Sequence, residues 1–505
     1  MWRRQRNDRR RRASPPGRRA SPPGRRAGGL RLGLATRSGV GAGSESSAGK
    51  GFSLVVGKMT FSSPWATVLT FALLTVRVAP CAGRQKCVSR DYGHGSVVCE
   101  CNSTYCDSMG PVTLPPLGQF SSYVSSKAGS RAEEGHGQVQ KNRTGADLRL
   151  TIVPYQKYQR IRGFGGAMTD AAAINILSLS PDTQDQLLRQ YFSSEGIGYN
   201  VVRVPMASCD FSTRLYTYAD TPGDYSLDNF TLASEDINMK IPLLQRAQAL
   251  SPRPLALLAS AWSAPTWLKT NRALTGKGSL KGQPGGKEHK TWAQYYIRFF
   301  EEYAKHNLTF WALTTGNEPS AGRMTNYSFQ AMGFTPEEQR DWVAMDLGPA
   351  VHTSAHAHTH ILILDDNRLL LPHWAKVDLN HYVVGWTDWN LALDRGGGPN
   401  WVKNFVDSTV IVDADRDIFF KQPTFYSMAH FSKFLWEGSR RVGVSTSKET
   451  ALEVTAFIRP DGSVVLTILN RSSSTVQFEV WDPAVGYIPA TAPARSLLTL
   501  AWNTR

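Results

Sequence analysis

Apolar residues in this chain fall into short runs separated by longer amphipathic stretches, and the alternation begins near residue 160. "GFGGAMTD" (163–170), "GYNVVRVPMASCD" (198–210), "PLALLASAW" (254–262), "TFWALTTGNEP" (309–319), "ILILDDN" (361–367) and "HYVVGWTDWN" (381–390) each read as a strand, an apolar run bounded by polar or turn residues. Helix patterns lie between them. "SPDTQDQLLRQYF" (180–192) has Ser180 as N-cap and Pro181 at the first helical position. "TWAQYYIRFFEEYAKH" (291–306) is amphipathic. "TPEEQRDWVAMDLGPAV" (335–351) opens with a Thr335/Glu338 capping box. Apolar strands followed by helices imply parallel strands covered on both faces. Asp170, Asp210, Trp262, Glu318, Asp366 and Asp388 cluster at the strand C-termini. That pattern predicts an α/β fold of the TIM (β/α)8 type, which gathers its chemistry at that rim. A doubly wound sheet would call for a G-x-G-x-x-G turn, and Gly163, Gly165 and Gly166 have the wrong spacing.

Past residue 410 the period shortens to two. "ALEVTAFIRPDGSVVLTILNRSSSTVQFEV" predicts short strands with a turn at Asp461-Gly462, hence a β-sandwich that strands near 138–155 complete. The expected order is a basic extension (1–58), a signal peptide (59–83), a disulfide-stapled β segment (84–112), a β-sandwich (113–158 with 439–505) and a barrel (159–438). A β segment is inserted in the barrel at about 391–422.

Charge sharpens the two N-terminal assignments. The chain has 505 residues and a net charge of +16. Residues 1–58 hold 15 Lys and Arg against Asp8 and Glu45, a net +13, which leaves +3 (16 − 13) for the remainder. The folded part is nearly neutral and gives no reason to expect nucleic acid. The basic block repeats "RRASPPG" at 11–17 and 18–24 and reads as a solvated extension. The apolar stretch Trp65–Val76 is too short to span a bilayer and suits a signal-peptide core, with Met59 as its start and Ala82-Gly83 near its cleavage.

Cysteine usage agrees with secretion. Cys87, Cys99, Cys101 and Cys106 crowd into "CVSRDYGHGSVVCECNSTYC". A zinc site is the alternative, but Cys99-Glu-Cys101 has a tighter spacer than structural zinc pairs use, so two disulfides are expected. Cys209 is left as a buried free thiol. Sequons at Asn102, Asn142, Asn229, Asn326 and Asn470 are expected to carry glycans, and the one at Asn307 to go unused.

The abrupt end of "FWALTTGNEP" in Asn317 and Glu318 has a mechanistic rationale. A Glu in a partly closed apolar site can protonate a glycosidic oxygen, and an adjacent Asn can hydrogen-bond a sugar hydroxyl. "GFGGAMTDAAA", "RVPMASCDFS", "TYADTP", "PTWLKTN", "GKGSLKGQPG", "NEPSAG", "LLLPHWAKV", "VVGWTDWNLAL", "GGPNWV", "FYSMAHFSKF" and "DPAVGY" extend the pattern. From about residue 87 to its end the chain resembles the acid glucosylceramidases, retaining β-glucosidases of the lysosome. The resemblance implies hydrolysis of glucosylceramide to glucose and ceramide, with no cofactor and no metal. It also implies an activating saposin, an anionic phospholipid surface and a lysosomal integral membrane sorting receptor as partners. Glu318 matches the general acid/base, and Asp210, Trp262, Asn317, Trp389 and Asn404 match sugar-binding positions. Asn367 stands where the family usually has Gln.

One departure bears on activity. The family's nucleophile, a Glu after the seventh strand, has no counterpart in "HWAKVDLNHYVVGWTDWN". Six barrel strands are legible where closure needs eight, so two βα units are missing, on the order of 60–80 residues. Asp378, Asp388 and Asp366 are the carboxylates nearest the junction in sequence. A retaining site needs one about 5–5.5 Å from the acid. The alternative function is therefore a non-catalytic chain that at most binds the saposin or the receptor.

Overall fold

The computed structural model describes residues 85–363, 365–366 and 378–505, except the side chains of Asp378 and His381. The basic block, the signal segment, Asn367 and the whole of "LLLPHWAKV" lie outside the described residues.

The barrel strands are β1 (Gly163–Ala167), β2 (Val201–Met206), β3 (Ala256–Ala261), β4 (Phe310–Thr314), β5 (His360–Leu362) and β6 (Gly385–Asn390). All five pairings are parallel, in the order β5-β4-β3-β2-β1-β6. The runs are shorter than the sequence pattern suggests: in β1, β2 and β4 the polar end leaves the sheet, whereas β6 keeps its polar end and starts only at Gly385. Residues 168–169 turn out of β1, and Thr169 caps helix α1 (Asp170–Leu177) by accepting from the Ala172 amide. Among the described residues no pairing joins β5 to β6, so the sheet is a six-stranded barrel wall with two edges. Ile363, Tyr382, Val384 and Trp386 are exposed at those edges.

The helices follow their caps. Helix α2 (Pro181–Phe192) starts at Ser180, whose hydroxyl accepts from the Thr183 amide. Helix α3 (Ile241–Leu250) continues from a π turn at Asp236–Lys240. Helix α4 (Lys287–Ala304) buries Trp292, Tyr295, Tyr296, Phe299, Phe300 and Tyr303 on one face. Helix α5 (Pro336–Trp342) carries the capping box, with Thr335 N to Glu338 Oε2 at 2.7 Å and Glu338 N to Thr335 Oγ1 at 3.0 Å. A π turn (Val343–Leu347) joins it to helix α6 (Gly348–Thr353). Helix α7 (Pro423–Ser432) follows the inserted β segment.

A nine-stranded sheet draws on both ends of the described chain, from Gln119–Ser126, Glu133–Gln138 and Arg149–Arg160 to six strands between Arg440 and Trp502. It encloses a separate apolar core built on Leu150, Val480, Leu466, Leu500 and Trp502. The N-terminal β segment and the insertion are parts of one sheet: Val97–Cys101 pairs antiparallel with Ile418–Lys421, Phe419 opposite Cys101. Disulfides join Cys87 to Cys99 and Cys101 to Cys106. Cys101, Cys106 and Asp107 are grouped closely enough for a metal, but both sulfurs are consumed in that second bond.

Asn470 contradicts one expectation. It is wholly buried, and its Nδ2 donates to the carbonyls of Ser474, Ala492 and Pro493. A glycan on that nitrogen is incompatible with this packing. Asn142, Asn229, Asn307 and Asn326 are exposed, and Asn102 is half-buried.

Candidate active site

The site is organised around a residue the sequence reading passed over. In β2 the neighbours Val202 and Val204 are fully buried in the apolar core, and Arg203 points the other way, into the barrel. Its Nη2 donates to Ser260 Oγ at 2.9 Å, Asn317 Oδ1 at 2.8 Å and Asp365 Oδ2 at 2.7 Å. These partners come from the end of β3 and the loops after β4 and β5. The guanidinium also lies 4.7 Å from the Trp262 ring and 5.3 Å from the Trp389 ring. The two indoles stack on each other, centroids 5.3 Å apart at 23°. Phe211 meets Trp389 edge-on, and Ala171, Cys209 and Leu393 complete an apolar floor. Burial pushes the Cys209 thiol well up, which keeps it protonated.

Glu318 stands on a constrained backbone. Gly316 has φ +120° and Glu318 itself φ +43°, a left-handed conformation that costs a non-glycine residue about 1–2 kcal/mol. Three bonds hold it: Asn317 N to Ala261 O at 2.8 Å, Glu318 N to Asp365 O at 2.7 Å, and Ala321 N to Glu318 O at 2.8 Å. The turn swings the side chain out of the strand direction, where Tyr327 donates its hydroxyl to Glu318 Oε2 at 3.3 Å.

Asp210 and Asn404 arrive on two docked loops. Asn404 Nδ2 donates to Asp210 Oδ2 at 3.0 Å. Trp401 ties the loops together, its amide donating to Ser212 O and its indole to Cys209 O, both at 2.9 Å. Burial raises the Asp210 carboxyl above its ordinary range; the bond from Asn404 opposes this and the Glu318 charge adds to it. Asp210 adjoins Phe211, which meets Trp389 edge-on, and it feels the charges of Glu318 and Arg203. Asn317, Trp262 and Trp389 meet at Arg203.

Three other carboxylates from the sequence reading are not in this group. Asp170 is buried against Lys240 Nζ at 3.1 Å, within a cluster that includes Asp236, Tyr216 and Ser212. Asp366 accepts from the Ser320 amide at 2.9 Å and so braces the turn after Pro319. Asp388 lines a groove of about 890 Å³ with Phe164, Met428 and Phe431, and burial raises its carboxyl above the ordinary range. A register irregularity between Thr387 and Asn390 is why alternation alone does not assign its face. Arg203 and Tyr327 are the residues the sequence reading missed. An Arg inside the apolar run "VVRVP" is a legible signal for the first. Nothing in the sequence marks the second.

The sequence description of the Glycosyl hydrolase family 30 TIM-barrel domain matches residues 161–381 and 377–435, and that family's beta sandwich domain matches residues 438–500. The chain belongs to glycosyl hydrolase family 30. Its relatives include the lysosomal acid glucosylceramidase of Mus musculus, 48% identical over 83% of this chain and 96% of that protein. Putative glucosylceramidase 3 of Caenorhabditis elegans is 33% identical over 81% of this chain and 93% of its own length. Among solved structures, SrfJ from Salmonella typhimurium superposes with a TM-score of 0.69 at 24% identity, covering 76% of this chain and 99% of SrfJ. That likeness shows the fold.

The glycosyl hydrolase family 30 barrel match is interrupted at one place in the chain. The barrel match comes in two pieces that meet at 377–381, between β5 and β6. The alignment to the mouse protein runs over 496 positions but takes up 83% of a 505-residue chain, about 419 residues, so about 77 positions have no counterpart here. Two βα units are about that long.

Proposed function

We propose that this chain carries a glucosylceramidase site without its nucleophile. It binds the β-glucosyl group of glucosylceramide and presents Glu318 as the acid/base of a retaining β-glucosidase. The supporting observation is the convergence of Glu318, Asn317, Asp210 and Asn404 on the stacked Trp262–Trp389 pair around Arg203. Indole faces suit a sugar ring, and the carboxylate and amides around them suit its hydroxyls. With its oxygen held by Arg203, Asn317 offers its NH2 to the sugar. Glu318 would protonate the glycosidic oxygen as the bond to ceramide breaks. Attack on the anomeric carbon from the opposite face needs a second carboxylate. The described ones are engaged or placed elsewhere: Asp365 is paired with Arg203, Asp210 bonded to Asn404, Asp366 bonded to the Ser320 amide, and Asp388 lines the groove beside Phe164 and Met428. Glucose recognition is therefore retained and turnover lost.

The likeness to a protein named as lysosomal supports the lysosome as the place of action. An activating saposin, an anionic phospholipid surface and a lysosomal sorting receptor are the partners this reading adds. The extension 1–58, the signal segment 59–83 and glycans at Asn102, Asn142, Asn229 and Asn326 complete it.

Calorimetry tests the binding half. A glucose-configured iminosugar should bind at pH 5, and Trp389→Ala should weaken it at least tenfold. Equal affinity for the variant, or no binding to the parent chain, would contradict the proposal.

A further inference from the structure

Glu318 is kept and the nucleophile that would oppose it is not. Between Asp366 and Asp378 the sequence holds no acidic residue. The strand that would end in the nucleophile falls between β5 and β6, which do not pair with each other among the described residues. Asp365 is held by Arg203, Asp210 by Asn404 and Asp366 by the Ser320 amide. The covalent glucosyl ester through which a retaining enzyme cleaves a β-glucoside is thus closed to this chain.

The base half of the mechanism needs no such ester. In a retaining enzyme the acid/base acts twice, first giving a proton to the departing oxygen and then taking one from the incoming water. The second step runs on any glucosyl group whose leaving group sits on the α face, where the ester would have been. Glu318 is half-buried, its turn fixed by Glu318 N to Asp365 O at 2.7 Å and Ala321 N to Glu318 O at 2.8 Å, and Tyr327 donates to Oε2 at 3.3 Å. Exposed apolar side chains lie beside the site residues in the chain: Met324 between Glu318 and Tyr327, and Phe405 and Val406 directly after Asn404. They suit an acceptor hydroxyl that carries an apolar tail.

We propose that this chain transfers glucose from activated α-glucosyl donors to alcohols, with inversion at the anomeric carbon. The Glu318 carboxylate takes the proton of the alcohol as its oxygen attacks the anomeric carbon. With α-glucosyl fluoride as donor, the new carbon–oxygen bond forms while the carbon–fluorine bond breaks, and fluoride leaves with the electron pair. The proton on Glu318 then passes to solvent. The product is a β-glucoside that the chain does not hydrolyse, so it accumulates. The inference rests on the sugar site proposed above and adds a reaction to it.

The test incubates the full chain at pH 7 with α-glucosyl fluoride and n-hexanol. Hexyl β-glucoside should accumulate, read by NMR and mass, with fluoride released. Glu318→Ala should slow its formation by about a hundredfold or more, the share a positioned base contributes. Added formate, a small external base, should restore part of that rate, which a merely structural role would not show. Calorimetry with the glucose-configured iminosugar separates the failures. No hexyl glucoside from a parent chain that binds the iminosugar would overturn the transfer and leave the sugar site standing. No product and no iminosugar binding would overturn both. Hexyl α-glucoside, an undiminished rate in Glu318→Ala, or no recovery with formate would overturn Glu318 as the base of an inverting transfer.

Discussion

Arg203 is the residue on which the site depends. One guanidinium satisfies a hydroxyl, an amide oxygen and a carboxylate while lying against two indoles, a geometry that Lys cannot reproduce. Arg203→Met would remove the charge partner of the partly buried Asp365 and leave it the Ser260 hydroxyl, 2.9 Å away. The expected cost is about 1–3 kcal/mol, read as a lower urea midpoint with an unchanged slope. A loss under 1 kcal/mol would mean the network is not holding the loops. Glu318 was legible because an apolar run stops at a carboxylate. Its left-handed backbone was not, since that follows from bonds to Ala261 and Asp365, distant in sequence. Asp170 misled for a local reason. The apolar run continues through it, while Thr169 has already begun a helix.

At the scale of elements, helix α7 couples the barrel to the nine-stranded sheet. His430 on α7 is fully buried, with Nδ1 2.8 Å from Thr499 Oγ1 and Nε2 2.9 Å from Ser125 Oγ. Burial pushes its imidazole down to about 3. The folded state therefore favours neutral His430, and its stability contribution is complete above the unfolded value of 6.5 and lost as pH falls toward 3. Between pH 6.5 and 5 the loss is about 2 kcal/mol at 1.36 kcal/mol per unit. His430→Asn should flatten that part of the stability–pH curve measured by denaturation, and an unchanged slope would assign it elsewhere. The strands, the capping box and the Ser180 cap were legible because each is a local pattern. The sheet that pairs Val97–Cys101 with Ile418–Lys421 was not, because more than 300 residues separate its partners.

At the scale of the molecule, the barrel has six described strands and two edges. Exposed Ile363, Tyr382, Val384 and Trp386 at those edges are a template for association. Concentration-dependent self-association in sedimentation is expected, and Ile363→Lys with Val384→Lys should reduce it; an unchanged profile would show that the edges are not the contact. The sequence alone allowed the strand count, because the flanking motifs survive on both sides of the junction. It could not tell that Asp388 lines the groove with Phe164, Met428 and Phe431 and is not among the groups gathered around Arg203. The absence of a nucleophile decides whether this chain turns over substrate. Its most direct test is to incubate the chain at pH 5 with a 2-deoxy-2-fluoro-β-glucoside bearing a good leaving group and weigh the intact protein. The predicted result is binding without a covalent adduct, at the same mass as a Glu318→Gln control. A stoichiometric glycosyl-enzyme would contradict it and identify a nucleophile in this chain.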